Sequence, residues 1–172
     1  MPLSMYQAST PAFTRALTNL SAILGKAQAH CEARKIDPLV LASARLFPDM
    51  FALSRQVQIA CYAAKGAVAR LAGVEIPKHE DTEKTFAELQ ARIAKTIDYI
   101  KSVPASAFEG AEDRDIKIPL RDRTLEMKGL DYLRGFVLPN FYFHISMVYA
   151  LMRHNGVELG KKDFLGGLSM QA

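Results

Sequence analysis

Apolar residues recur at helical spacing through most of the chain, and they switch to alternation once. Phe13, Leu17, Leu20, Leu24, Ala27 and Cys31 fall on one stripe, which predicts a helix from about Thr10 to Arg34. Thr10 followed by Pro11 reads as its N-cap and first turn. A short helix is expected in "PLVLASARL", and Phe47-Pro48-Asp49 reads as a boundary. A second long helix is predicted from about Asp49 to Ala72, with Met50, Leu53, Val57, Cys61, Ala64, Val68 and Leu71 inward and Gly73 ending it. A third, starting near Asp81 or Thr82 and ending before Pro104, carries Phe86, Leu89, Ile93, Ile97 and Ile100.

The period then changes. Ile116, Ile118 and Leu120 alternate with polar residues, as do Leu125 and Met127 after "RDR", which predicts a small hairpin. Pro119 cannot donate to a ladder, so its strand must be an edge. A fourth helix is expected from near Leu130 to Asn155-Gly156, with a stripe of Leu130, Leu133, Val137, Phe141, His144, Val148 and Leu151. The remaining tail reads as irregular. Four long amphipathic helices in one domain spanning residues 1–172 predict an all-α fold, a four-helix bundle, with a hairpin between helices three and four.

Composition narrows the function classes. With 172 residues and 49% apolar content, the chain is long enough to bury a full core. The net charge of +4 is mildly basic, but charges alternate in sign locally and no Lys/Arg cluster marks a nucleic-acid surface. The apolar run from Phe136 to Met152 contains Pro139, Asn140, His144 and Ser146 and falls short of the ~20 apolar residues of a membrane span. It reads as a buried helix, so no membrane partner is expected. Cys31 and Cys61 sit among Ala and Leu, as buried thiols do. With no secretory pattern at the N-terminus, these features predict a cytoplasmic protein.

His144 is the chemical feature of the fourth helix, because it falls on the inward stripe. A buried imidazole needs partners, and Asn140, four residues earlier, shares its face. Pro139 removes an N–H and opposes the Gly135 carbonyl, so the helix is expected to kink or restart there. That freed carbonyl either helps build a polar pocket or accompanies a simple bend around the core. On helix two, Gln58, Tyr62 and Lys65 form a second, polar stripe, with Arg55 and Gln56 nearby. If this stripe faces helix four, Gln58 and Tyr62 converge with Asn140 and His144. Lys65 and Arg55 are equally well explained as a solvated face.

A metal centre finds little support in the spacing. His144 and His154 are ten residues apart on one helix, about 15 Å along its axis and on different faces. His30 and His79 lie toward other parts of the fold, leaving His144 as the sole inward metal candidate where a catalytic zinc site takes three protein ligands. No nucleophile elbow or phosphate-binding loop is present, and Cys61 has no activating cation at helical spacing.

"FALSRQVQIACYAAKGAVARLAG" and "PNFYFHISMVYALMRHNGVELGKKDFLG" resemble a bacterial family known as a domain of unknown function, grouped with the DinB/YfiT-like superfamily of metalloenzymes. The resemblance covers nearly the whole chain. Its marks are Arg55 to Gln58, Lys65-Gly66, Arg70 to Gly73, Phe141 to His144, Gly160-Lys161 and Asp163 to Gly166. It implies a four-helix bundle, often dimeric. It also implies a divalent metal held by three histidines, two of them in H-x-x-x-H on the last helix. Here the pair reads Asn140-x-x-x-His144, and the helix-two histidine is absent, with Gln58 or Tyr62 near its place. Neither replacement is a usual tight ligand for zinc or nickel. Three functions stay open: a polar pocket for a small ligand, catalytic or not, around His144, Asn140, Gln58 and Tyr62; a metal-dependent enzyme with a weak divalent ion at His144; and a structural or interaction dimer in which His144 is a satisfied core residue.

Overall fold

The first helix begins earlier than Thr10 because Ser4 and Gln7 close a capping box: the Gln7 N–H donates to the Ser4 hydroxyl, and the Ser4 N–H donates to the Gln7 side chain. In the computed structural model, which describes residues 3–167, helix α1 therefore spans Met5–Arg34 and Pro11 lies within it. Thr10 is buried rather than capping. Two capped starts competed for this segment, and the reciprocal box at Ser4 satisfies two backbone donors instead of one.

Helix α2 (Pro38–Ala42) is capped by the Asp37 carboxylate, which accepts from the Leu39 N–H. Helix α3 (Leu53–Ala72) starts four residues after the predicted Asp49, once the Leu53 N–H has bonded to the Ala44 carbonyl. It ends where Gly73 takes a left-handed conformation (φ 71°). Helix α4 (Phe86–Ser102) also starts later than expected, because Thr85 and Glu88 form its capping box and Asp81 is used elsewhere.

The hairpin forms as predicted. Strand β1 (Asp115–Pro119) pairs antiparallel with β2 (Thr124–Lys128), Ile116 facing Met127 and Ile118 facing Leu125. Ile116 and Ile118 are buried, while Lys117–Glu126 and Lys128–Asp115 ion pairs bridge the strands on the solvent side. Pro119 ends its strand, where the missing N–H costs no ladder bond.

Helix α5 (Gly129–His154) is unbroken. Just ahead of Pro139, where a kink or restart is expected, the helix carries a widened turn, one of the features at which helices bend. Residues Tyr132–Val137 are π-helical, and the Leu138 N–H donates five residues back to the Leu133 carbonyl. Such a turn accommodates a prolyl ring and a missing donor without ending the helix. Gly129 starts the helix where nothing larger fits: a Cβ there would lie 1.8 Å from the Ala111 carbonyl oxygen. The tail predicted as irregular holds a short helix, α6 (Lys161–Leu165), tied to α1 by Lys26–Asp163 and by Asn19 donating to the Phe164 carbonyl.

The fold is mostly helical, with one small two-stranded sheet. The long helix α3 packs against α4 and α5, and α1 packs against α3, α4 and α5. All four contribute to one hydrophobic core, in which Phe13, Leu24, Val57, Val68, Leu89, Phe141 and Val148 are fully buried. Of the predicted α5 stripe, Leu130 is exposed and the others are inward. By length and apolar content α5 resembles a membrane span, but its buried face packs into this core.

Candidate functional site

His144 is delivered to the α3–α5 interface by the same stripe that buries Phe141, Val148 and Leu151, and only 6% of it is exposed. Its Nδ1 lies 2.6 Å from Oε1 of Gln56 on α3. Gln56 is itself buried, and its Nε2 donates to the Phe51 carbonyl at 3.3 Å. A carbonyl can only accept, so the amide nitrogen must face Phe51 and the amide oxygen must face His144. That oxygen in turn requires an N–H at Nδ1. The imidazole is thereby held in one tautomer, with the lone pair on Nε2, which bonds to none of the described residues. Burial, and next the Arg55 charge, push the His144 pKa below its ordinary 6.5, so the ring is neutral near pH 7. The Phe143 ring stands edge-on to the imidazole, centroids 5.2 Å apart, and is half exposed. Asn140 lies one turn earlier on α5, half-buried.

The four residues expected to converge do not form one hydrogen-bonded group. Gln56, not Gln58, meets His144. Gln58 belongs to a neighbouring closed ring of side chains: its Nε2 donates to Glu83 (3.0 Å), Glu83 accepts from Arg92 (2.9 Å), Arg92 pairs with Asp81 (2.8 Å), Asp81 pairs with Arg55, and Arg55 donates back to Gln58 (3.2 Å). The ring fastens the loop before α4 onto α3 and α4. Tyr62 is half exposed, and its hydroxyl accepts from Arg70 at 3.4 Å. Lys65, readable from sequence as solvated, is 2% exposed, and its Nζ donates to the Pro77 carbonyl.

The signal for Gln56 was present in the spacing. Leu53, Gln56, Val57 and Ala60 stand at i, i+3, i+4 and i+7, so Gln56 sits inside the apolar face. Arg92 is marked in the same way, between Leu89 and Ile93 on one side and Thr96 on the other. Both are polar residues at core positions, and both prove to be the anchors of polar networks.

Among the described residues, no group of three or more His, Cys, Asp or Glu side chains is placed to hold a metal ion. At His144 the donor set is one imidazole nitrogen with amide groups from Gln56 and Asn140 for neighbours, which does not fit the three-histidine site implied for the superfamily. Cys61 offers no alternative chemistry, because burial pushes its thiol up to about 11.

No curated protein matches the chain. A crystal structure of a DinB family member from Shewanella denitrificans is 42% identical in sequence, covers 98% of this chain and 95% of its own, and superposes with a TM-score of 0.91. The family model described as "Domain of unknown function (DUF1993)" matches residues 5–165. With the match running from the first turn of α1 to the last of α6, the chain belongs to the DUF1993 family and has the fold of a DinB family member.

Proposed function

We propose that this four-helix bundle binds a small molecule at His144, in a site that has lost the metal-binding residues of its superfamily. One observation carries the reading: Gln56, locked by the Phe51 carbonyl, holds the His144 Nδ1–H and so leaves a neutral Nε2 as an oriented lone-pair acceptor. Such an atom accepts a hydrogen bond or a proton from a ligand hydroxyl, thiol or ammonium. Arg55, whose field reaches His144 and whose side chain is 43% exposed, favours a ligand that also carries negative charge. Asn140 supplies an amide on the same face. Gln58 and Tyr62 act at the margin, Gln58 by positioning Arg55.

The test is a titration of protein with uniformly labelled histidine against small hydroxy acids, amino acids and thiols. The His144 Nε2 resonance should shift saturably with at least one class, and the accompanying rise in Tm should disappear in His144→Gln. Stoichiometric zinc binding that vanishes in His144→Gln would instead establish the metal-dependent reading.

A further inference from the structure

A cavity of about 550 Å³ opens beside the Arg92 ring, lined by Lys78, His79, Glu83, Arg92 and Lys95 among others. Its charges are unevenly answered. Arg92, 4% exposed, is met by Asp81 and Glu83. The Glu88 carboxylate is taken up by the backbone N–H groups of Lys84 and Thr85. Lys78, Lys95 and the buried Lys65 form no ion pair with any of the described residues. Glu80, also at the lining, pairs with none of them. Lys78 and Lys95 stand exposed at the lining without an ion-pair partner among the described residues, so an anion entering the cavity meets two ammonium groups, while the buried Lys65 lies outside the lining and is met by the Pro77 carbonyl.

His79 marks where that anion would sit. Its Nδ1 is buried and has no hydrogen-bond partner. Burial, and then the charges of Lys65, Lys95 and Arg92, hold its pKa down to about 4, with Glu83 alone acting in the other direction. The ring is therefore neutral near pH 7 and able to donate one N–H, beside a lining in which Lys78, Arg92 and Lys95 stand with Glu80, Glu83 and Glu88. Arg92 Nε is a second buried donor without a partner.

We infer that this cavity is a binding site for a small anionic group, a carboxylate or a phosphate, held by Lys78 and Lys95 and accepting a hydrogen bond from His79. The site is distinct from His144, which does not line the cavity, and the two are separable by experiment.

Full-length protein is titrated with inorganic phosphate and, separately, with acetate, each against sodium chloride at matched ionic strength, while the ring resonances of His79 and His144 are followed. A saturable shift of His79 with His144 unmoved is the expected result. Lys95→Gln, an exposed position that leaves the fold intact, should weaken binding about five-fold or more, the worth of one partly exposed charge contact. His79→Gln should weaken it as well, read from the rise in Tm. Response to phosphate alone assigns a phosphate site, and response to acetate assigns a carboxylate site. The inference is overturned if neither anion exceeds chloride, if His144 shifts in parallel with His79, or if Lys95→Gln binds like the parent. The first and third of these outcomes leave ligand binding at His144 untouched, whereas a parallel shift of His144 would move the anion to that site.

Discussion

His144 Nδ1 and Gln56 Oε1, 2.6 Å apart and both on buried residues, join helix α5 to helix α3 through the apolar core. The bond sets the histidine tautomer, and it also makes each residue dependent on the other. Gln56→Leu should strand a buried imidazole N–H and destabilise the fold by about 1–3 kcal/mol, measured by urea unfolding. The double variant Gln56→Leu/His144→Leu should recover part of that loss, because two apolar groups leave nothing unpaired. Equal and additive losses in the double-mutant cycle would show that the pair is not coupled.

The two shifted histidines predict an acid-side weakening of the fold. Both are depressed, His79 to about 4 and His144 to below 6.5, so the folded state binds fewer protons than the unfolded chain does. Their contribution is complete above the unfolded value of about 6.5 and is lost as pH falls through the folded values. Tm should be flat above pH 7 and decline between about pH 6.5 and 4. His79→Gln should remove part of this decline. Asp81, whose carboxyl is held below the usual range by Arg55 and Arg92, adds its own loss only below pH 4.

Arg92→Met should test the side-chain ring. It leaves Asp81 and Glu83, two residues apart in the loop before α4, without their shared cation, and should cost about 3–5 kcal/mol in chemical denaturation. Lys117→Ala, which breaks an ion pair exposed on the hairpin, should cost less than about 1 kcal/mol. Similar costs for the two would mean that the ring is no more than a surface feature.

Two glycines of α5 should respond oppositely to alanine. Gly129→Ala drives a Cβ into the Ala111 backbone and should destabilise by more than about 2 kcal/mol. Gly135, in the π turn, has nothing within 4 Å of its would-be Cβ, and Gly135→Ala should stabilise by about 0.5–1 kcal/mol. Thermal unfolding of the two variants under identical conditions decides the matter.

The hydrophobic period alone identified the four long helices, the hairpin and the inward position of His144, because burial of one helix face or one strand face is written into residue spacing. Gly73 and Asn155-Gly156 likewise gave two of the helix ends correctly to within a residue or two. The helix starts were less legible. Ser4–Gln7 and Thr85–Glu88 are capping boxes in plain view, but Thr10-Pro11 and Asp81 offered competing signals, and only the packed structure selects among caps.

The partner of His144 was decided by the tertiary structure. Gln56 and Gln58 are two residues apart, and helical geometry sends them to different faces: one into the α3–α5 interface, the other toward Glu83 and α4. Sequence spacing says which residues share a face of one helix, whereas which helix meets that face is a property of the assembled core. The π turn before Pro139 and the burial of Lys65 have the same origin. Each is a local cost that becomes acceptable only when neighbouring elements, in these cases the packed α5 helix and the Pro77 carbonyl, are brought alongside by the fold.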